Sequence, residues 1–252
     1  LTAHTKPVGS MVFLPDNRMA LSASADGTLK TWSIAAAGQT AQLNGHSSQV
    51  YGVAFSPDGK TLASASADKT VWLWDLEKNT QIKTLSSQDG QVYSVAFSPD
   101  GKLLLTGGAD KTVRLINVET GVEVRQFTGP EYAVYSVAFS PDGQQIAAAG
   151  VGLGENRKVF LWDLGSPAPK TVFSGHKDDI YRVQFSPDGK HLLSAGYAGT
   201  LNVWKLGQEK PVFSSDLPIV LYSATYSPDG DQLAIAANDG KAYLIDLPNG
   251  AK

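Results

Sequence analysis

The chain is a succession of short apolar segments, each closed by a turn signal. Val50-Tyr51-Gly52-Val53-Ala54-Phe55, Val92-Tyr93-Ser94-Val95-Ala96-Phe97 and Val134-Tyr135-Ser136-Val137-Ala138-Phe139 have the length and composition of strands. Ser-Pro-Asp-Gly follows such a segment at Ser56 to Gly59, Ser98 to Gly101, Ser140 to Gly143, Ser186 to Gly189 and Ser227 to Gly230, and a degenerate copy, Leu14-Pro15-Asp16-Asn17, precedes them. Proline ends a ladder by removing a donor, and Asp-Gly supplies the residues of a tight reversal. A second apolar stretch (Thr61 to Ser66), a small-residue turn (Ala67-Asp68-Lys69), a third strand (Val71 to Leu76) and a more polar fourth (Thr80 to Leu85) complete the unit. The prolines stand at 15, 57, 99, 141, 187 and 228, in steps of 42, 42, 42, 46 and 41. A fixed period of this length predicts stacked four-stranded units, because each has apolar faces that only a neighbour covers.

Composition narrows the classes. At 252 residues the chain makes one large domain or two small ones. Its 21 Lys and Arg against 24 Asp and Glu leave a net charge of −3 without a block of like charges, which disfavours nucleic acid as a partner. Absence of cysteine excludes disulfides, thiolate zinc sites, iron–sulfur clusters and a cysteine nucleophile, and fits a reducing compartment or a periplasm. Apolar runs such as Ile146 to Gly150 fall far short of a membrane-spanning helix. The expectation is a soluble chain without membrane insertion. It opens on Leu1 with no basic-then-hydrophobic segment, so no targeting signal is visible.

The unit resembles the WD40 repeat: Gly45-His46 precedes the first strand, Ser56-Pro57-Asp58-Gly59 follows it, Asp68 lies in the next turn and Trp74-Asp75 closes the third strand. The resemblance recurs six times in register. It implies an all-β fold, a β-propeller of six four-stranded antiparallel blades forming one domain over 1–252, with seven or more only if the chain is an excerpt. The repeats run approximately 1–42, 43–84, 85–126, 127–172, 173–213 and 214–252. Asp246 to Lys252 align with Asp75 to Gln81, and Leu1 to His4 with Leu85 to Gln88, so the break falls inside a fourth strand that the two ends would share. The resemblance further implies hydrogen-bonded tetrads of His46, Ser64, Asp68 and Trp74 in the second repeat and His4, Ser22, Asp26 and Trp32 in the first. The fifth repeat keeps His176, Ser194 and Trp204 but has Ala198 in place of Asp. Repeats three, four and six lack the His and are expected to lean on apolar packing.

Candidate chemistry is sparse. His4, His46 and His176 occupy the structural position and His191 starts a second strand, so no converging metal set is expected. The aspartates of the Ser-Pro-Asp-Gly turns are accounted for by the turn, and copies on successive blades lie too far apart to work as a pair. No Gly-x-Ser-x-Gly elbow, phosphate loop or His-Glu-x-x-His helix occurs. No catalytic residue, metal or cofactor is therefore expected. Repeat four carries four extra residues around Val151 to Arg157, read as a surface insertion or a recognition loop.

The sharpest functional signal is a tyrosine register. Tyr51, Tyr93, Tyr135, Tyr181 and Tyr222 each stand five residues before a turn serine, with Gly9 in the first repeat. In the resembled family this position lies near the mouth of the central channel. Neighbouring loops add Asp89, Glu131, Asp178, Asp179, Tyr132 and Tyr197 against Lys6, Lys69, Lys111, Lys177 and Arg182. Aromatic faces beside carboxylates suit a basic or aromatic peptide. The leading expectation is a non-enzymatic scaffold that binds a protein or peptide through its loop face and mouth. A second reading is an accessory propeller of a larger protein bearing a catalytic or redox domain, and a propeller enzyme with a channel site ranks last.

Overall fold

A computed structural model describes residues 3–13, 18–85, 88–154 and 157–251. The degenerate turn at 14–17 lies outside them. Six sheets of consecutive antiparallel strands form, with no α-helix among the described residues. The first sheet comprises β1 (Val8–Phe13), β2 (Met19–Ser24), β3 (Leu29–Ser33) and β4 (Gly38–Leu43), and the second β5 (Val50–Phe55), β6 (Thr61–Ser66), β7 (Val71–Asp75) and β8 (Thr80–Leu85). The third holds β9 (Val92–Phe97), β10 (Leu103–Gly108), β11 (Val113–Asn117) and β12 (Glu123–Phe127), and the fourth β13 (Val134–Phe139), β14 (Gln145–Gly150), β15 (Lys158–Asp163) and β16 (Thr171–Ser174). The fifth consists of β17 (Ile180–Phe185), β18 (His191–Gly196), β19 (Thr200–Lys205) and β20 (Pro211–Asp216), and the sixth of β21 (Leu221–Tyr226), β22 (Gln232–Ala237) and β23 (Ala242–Asp246). Each is a blade of the β-propeller class.

The sixth blade departs from the four-strand expectation. After Asp246 the chain turns, with the Ala251 N–H donating to the Pro248 carbonyl at 3.0 Å, and no fourth strand follows β23 among the described residues. Pro248 has no N–H to offer a returning ladder, while Leu1, Thr2 and Lys252 of the expected shared strand lie outside the described residues.

The chain divides into two compact units, one running to Asp110 with Arg114–Arg125, the other comprising Lys111–Val113 and the chain from Gln126 onward. In both, the middle strands are buried on two faces, because alternate side chains point to opposite neighbours. In the first unit Leu62 and Trp74 of blade two pack with Leu21, Leu29 and Leu43 of blade one, whereas Ala63, Val71 and Leu73 pack with Leu104 and Ile116 of blade three. In the second unit Leu192 and Trp204 of blade five join Val159 and Leu161 of blade four, and Leu193, Leu201 and Val203 join Leu233 and Ile235 of blade six. At about 1.5–3 kcal/mol for each fully buried large aliphatic side chain, this stacking is the main stabilising term.

The turn after each first strand is closed by its own side chains. Ser56 Oγ donates to Asp58 at 2.5 Å and accepts from the Thr61 N–H at 2.9 Å, with Gly59 at φ 71° completing the reversal. The same serine–aspartate bond recurs at Ser98–Asp100, Ser140–Asp142, Ser186–Asp188 and Ser227–Asp229.

Candidate functional site: bulged tyrosines and their supporting networks

In blade two, His46 Nδ1 lies 2.7 Å from Asp68 and Nε2 2.7 Å from Ser64 Oγ, while the Trp74 indole N–H donates to the same Oγ at 2.8 Å. One proton assignment satisfies every group: Nδ1–H donates to the carboxylate, and the serine hydroxyl donates to Nε2. Thr70 Oγ and the Ser47 N–H also donate to Asp68, at 2.5 and 3.1 Å. Burial alone raises the Asp68 pKa, but these donors outweigh it and the net shift is downward. Burial lowers the pKa of His46, partly offset by Asp68. Blade one repeats the set, with His4 2.9 Å from Asp26 and 2.7 Å from Ser22, and Trp32 2.8 Å from Ser22.

Asp–His–Ser in this order has the connectivity of a hydrolytic triad, yet Ser64 is 0% exposed and its oxygen already accepts the indole proton. No substrate carbonyl reaches it, so the constellation ties strands together and has no nucleophilic role. Gly45 belongs to the same construction: a Cβ there would fall 2.0 Å from the Trp72 ring.

The other blades depart from this pattern in different ways. Blade five retains His176 Nε2 to Ser194 at 2.7 Å and Trp204 to Ser194 at 2.8 Å, but with Ala198 in place of Asp the buried His176 Nδ1 has no hydrogen-bond partner among the described residues. Burial pushes its pKa down to about 4, opposed only weakly by Asp216. Blade three corrects the expectation of apolar packing. Gln88 stands in the histidine position and donates to Thr106 at 2.9 Å, and Arg114 donates to Gln88 at 3.2 Å and Asp110 at 2.5 Å and pairs with Glu123 at 3.0 Å. A polar network thus replaces the lost tetrad, because Arg114 occupies the position of Trp72. Blade four is aromatic: Trp162 stacks on Phe160 at 5.6 Å and donates to the Thr128 carbonyl at 3.0 Å. Blade six fills the position with Leu217, Ile235 and Ile245.

The tyrosines share a backbone feature that the sequence does not display. In blade two Val50 pairs with Ser66 and Gly52 with Ala65, leaving Tyr51 as the extra residue of a β-bulge. The same shift isolates Tyr93, Tyr135, Tyr181 and Tyr222, with Gly9 in blade one. A bulge re-aims its side chain out of the pleat, and bulges concentrate beside functional sites. In the first unit Tyr51 and Tyr93 stand edge to face at 5.1 Å, and their hydroxyls both donate to Gln91, at 3.4 and 3.2 Å. In the second unit Tyr135 and Tyr181 lie 5.4 Å apart and Tyr181 and Tyr197 6.0 Å apart. Burial raises the Tyr181 pKa, and Asp179, Tyr197, Asp178 and Tyr222 push it further up. Tyr197 and Tyr222 are 45% and 58% exposed.

The surrounding charges sort by unit. Asp178 pairs with Arg157 at 3.7 Å and Asp179 accepts from the Gly152 N–H at 3.2 Å, which docks the described part of the blade-four insertion beside the tyrosines. Glu155 and Asn156 of that insertion lie outside the described residues. Lys177 pairs with Asp216 at 2.5 Å. Lys69 and Lys111 hold turn positions at φ 72° and 68°. The buried Nε of Arg182 has no hydrogen-bond partner among the described residues. Among the described residues no group of three or more His, Asp or Glu is placed to hold a metal ion, and no helix is long and apolar enough to cross a membrane.

The model of the family described as WD domain, G-beta repeat, matches residues 1–33, 38–75, 79–117, 121–163 and 167–205. A 40-residue stretch is 50% identical to WD repeat-containing protein 97 of Homo sapiens, covering 16% of this chain and 2% of that protein.

Proposed function

Because the chain belongs to the WD40 repeat family, whose members generally serve as protein–protein interaction scaffolds, we propose that it is a non-enzymatic platform docking a protein or peptide through Tyr51, Tyr93, Tyr135, Tyr181 and Tyr222. The observation that carries this reading is the bulge shared by all five: the same residue type sits at the position of the first strand that is released from ladder pairing in blades two to six. A tyrosine re-aimed in this way offers a rigid aromatic face and a hydroxyl at low entropic cost. In the second unit the aromatic faces lie beside Asp178 and Asp179, which suits lysine or arginine side chains of a partner. Each cation–π contact there contributes about 0.5–2 kcal/mol.

The test is capture of a partner from native lysate by the wild-type chain and by a Tyr51→Ala, Tyr93→Ala, Tyr135→Ala, Tyr181→Ala variant whose folding is verified by circular dichroism. A partner held by the wild type alone supports the platform. A partner held equally by both moves the site to another face and overturns it.

A further inference from the structure

Blade four has a pocket beside the position that holds the tetrad histidine in blades one and two. Pro130 stands in the place of His46, Ala148 in that of Ser64 and Gly152 in that of Asp68, so the polar set is gone, and Phe160 stands where blade two has the larger Trp72. A pocket of about 160 Å³ opens there, within the second unit, bordered by Pro130, Tyr132, Val134, Lys158, Phe160 and Val172. Its aromatic wall is fixed. Phe160 stacks on Trp162 at 5.6 Å on one side, and Gly129 approaches it so closely that a Cβ would fall 2.9 Å from the ring.

Among the described residues the one cationic side chain in the lining is Lys158, which occupies the position of Thr70. In blade two Thr70 donates to the tetrad aspartate at 2.5 Å; in blade four that aspartate is gone. Lys158 is half-buried, and among the described residues its ammonium has no hydrogen-bond or ion-pair partner. Water reaches this ammonium in the free protein, and a carboxylate seated beside the apolar and aromatic walls would pair with it through a charge-assisted bond that strengthens as the ligand excludes that water. The volume sets the size of that anion: an apolar cavity of about 150 Å³ accepts one benzene ring. Glu131, exposed at the rim, disfavours a second negative charge on the ligand.

We propose that this pocket is a small-molecule site for monocarboxylates with a single ring or an equally compact apolar body, the carboxylate meeting Lys158 and the body resting on Phe160 and Tyr132. It does not depend on the five tyrosines as a docking platform, since none of them lines it.

Benzoate is the probe, titrated into the whole chain and followed by ¹H–¹⁵N resonances of the pocket residues, with benzyl alcohol as the neutral analogue of the same size. The expected result is saturable benzoate binding centred on Gly129 to Val134 and Lys158 to Phe160, at least tenfold weaker for benzyl alcohol and at least tenfold weaker for benzoate with Lys158→Met. That variant keeps the aliphatic stem and removes the charge, and its amide spectrum reports folding directly. A Lys177→Met variant serves as the control and leaves benzoate affinity unchanged. Equal binding of benzoate and benzyl alcohol, unchanged affinity in Lys158→Met, or no saturation by 50 mM, roughly the ceiling for a one-ring ligand of measurable efficiency, overturns the assignment. So does a peptide ending in phenylalanine with a free carboxylate that binds more tightly than benzoate, because the occupant is then a protein terminus.

Discussion

The two units are built on one repeat and spend the same positions differently. In the first, every blade carries a polar network at the site of the histidine: complete tetrads in blades one and two, and Gln88, Thr106, Arg114 and Asp110 in blade three. In the second, blade four has a pocket there, blade five lacks the carboxylate, and blade six is apolar. The tyrosines divide along the same line. The first unit holds a pair joined through neutral Gln91, whereas the second gathers Tyr135, Tyr181 and Tyr197 beside two aspartates. Interblade apolar packing is present in both units, so the polar networks are an increment on a stack that stands without them. Where the increment is dropped, the freed surface acquires unpartnered charge and exposed aromatic groups, the raw material of recognition.

The largest effect expected of this contrast is on acid stability. Unfolded histidine titrates near 6.5, and folded His176 at about 4. Between these values the unfolded chain takes up a proton that the folded chain refuses, so stability falls as pH drops through this window and is fully present above it. At roughly 1.4 kcal/mol per pH unit the loss amounts to about 3 kcal/mol by pH 4. Urea denaturation at pH 7, 5.5 and 4 checks the trend, and a His176→Gln variant flattens it.

A smaller effect separates the two kinds of blade directly. Asp68→Ala strands the His46 Nδ1–H, the Thr70 hydroxyl and the Ser47 N–H, and costs about 2 kcal/mol, the middle of the range for a buried donor left unsatisfied. The midpoint of chemical denaturation at pH 7 measures it; a change below a few tenths of a kcal/mol would show the network to be ornamental. Smaller still, Ala198→Asp gives blade five the carboxylate that blade two has. It is expected to add about 1 kcal/mol at neutral pH, the net worth of one hydrogen bond, and to raise the His176 pKa. Titration of the His176 ring resonance reads the second change independently of the first.

How far the sequence discloses this arrangement depends on which interaction sets each feature. Strand positions and blade boundaries follow from the Ser-Pro-Asp-Gly period, because turn chemistry and apolar runs are local. The alignment of His46, Ser64, Asp68 and Trp74 is likewise legible as a fixed spacing. The bulge is not, because it is a property of pairing across two strands: Val50 and Gly52 shift against Ser66 and Ala65 without any unusual residue at Tyr51. The network of blade three is hidden for a related reason. Gln88 and Arg114 look like solvent-facing residues in sequence, and only the fold brings them to Thr106 and Asp110. The pocket of blade four is hidden as well, because Pro130, Lys158 and Phe160 lie far apart in sequence and only the fold brings them to one lining.

Of the five tyrosines proposed to dock a partner, those of the second unit, which lie beside Asp178 and Asp179, are expected to contribute most. The direct measurement compares two verified-folded variants in partner binding by surface plasmon resonance, Tyr51→Ala, Tyr93→Ala against Tyr135→Ala, Tyr181→Ala, each at two salt concentrations. The expected result is a loss of at least tenfold for the second pair, with a salt dependence that Asp178→Asn, Asp179→Asn abolishes, and a loss of only a few-fold for the first. Equal losses, or a larger loss for the Tyr51 and Tyr93 pair, would contradict it.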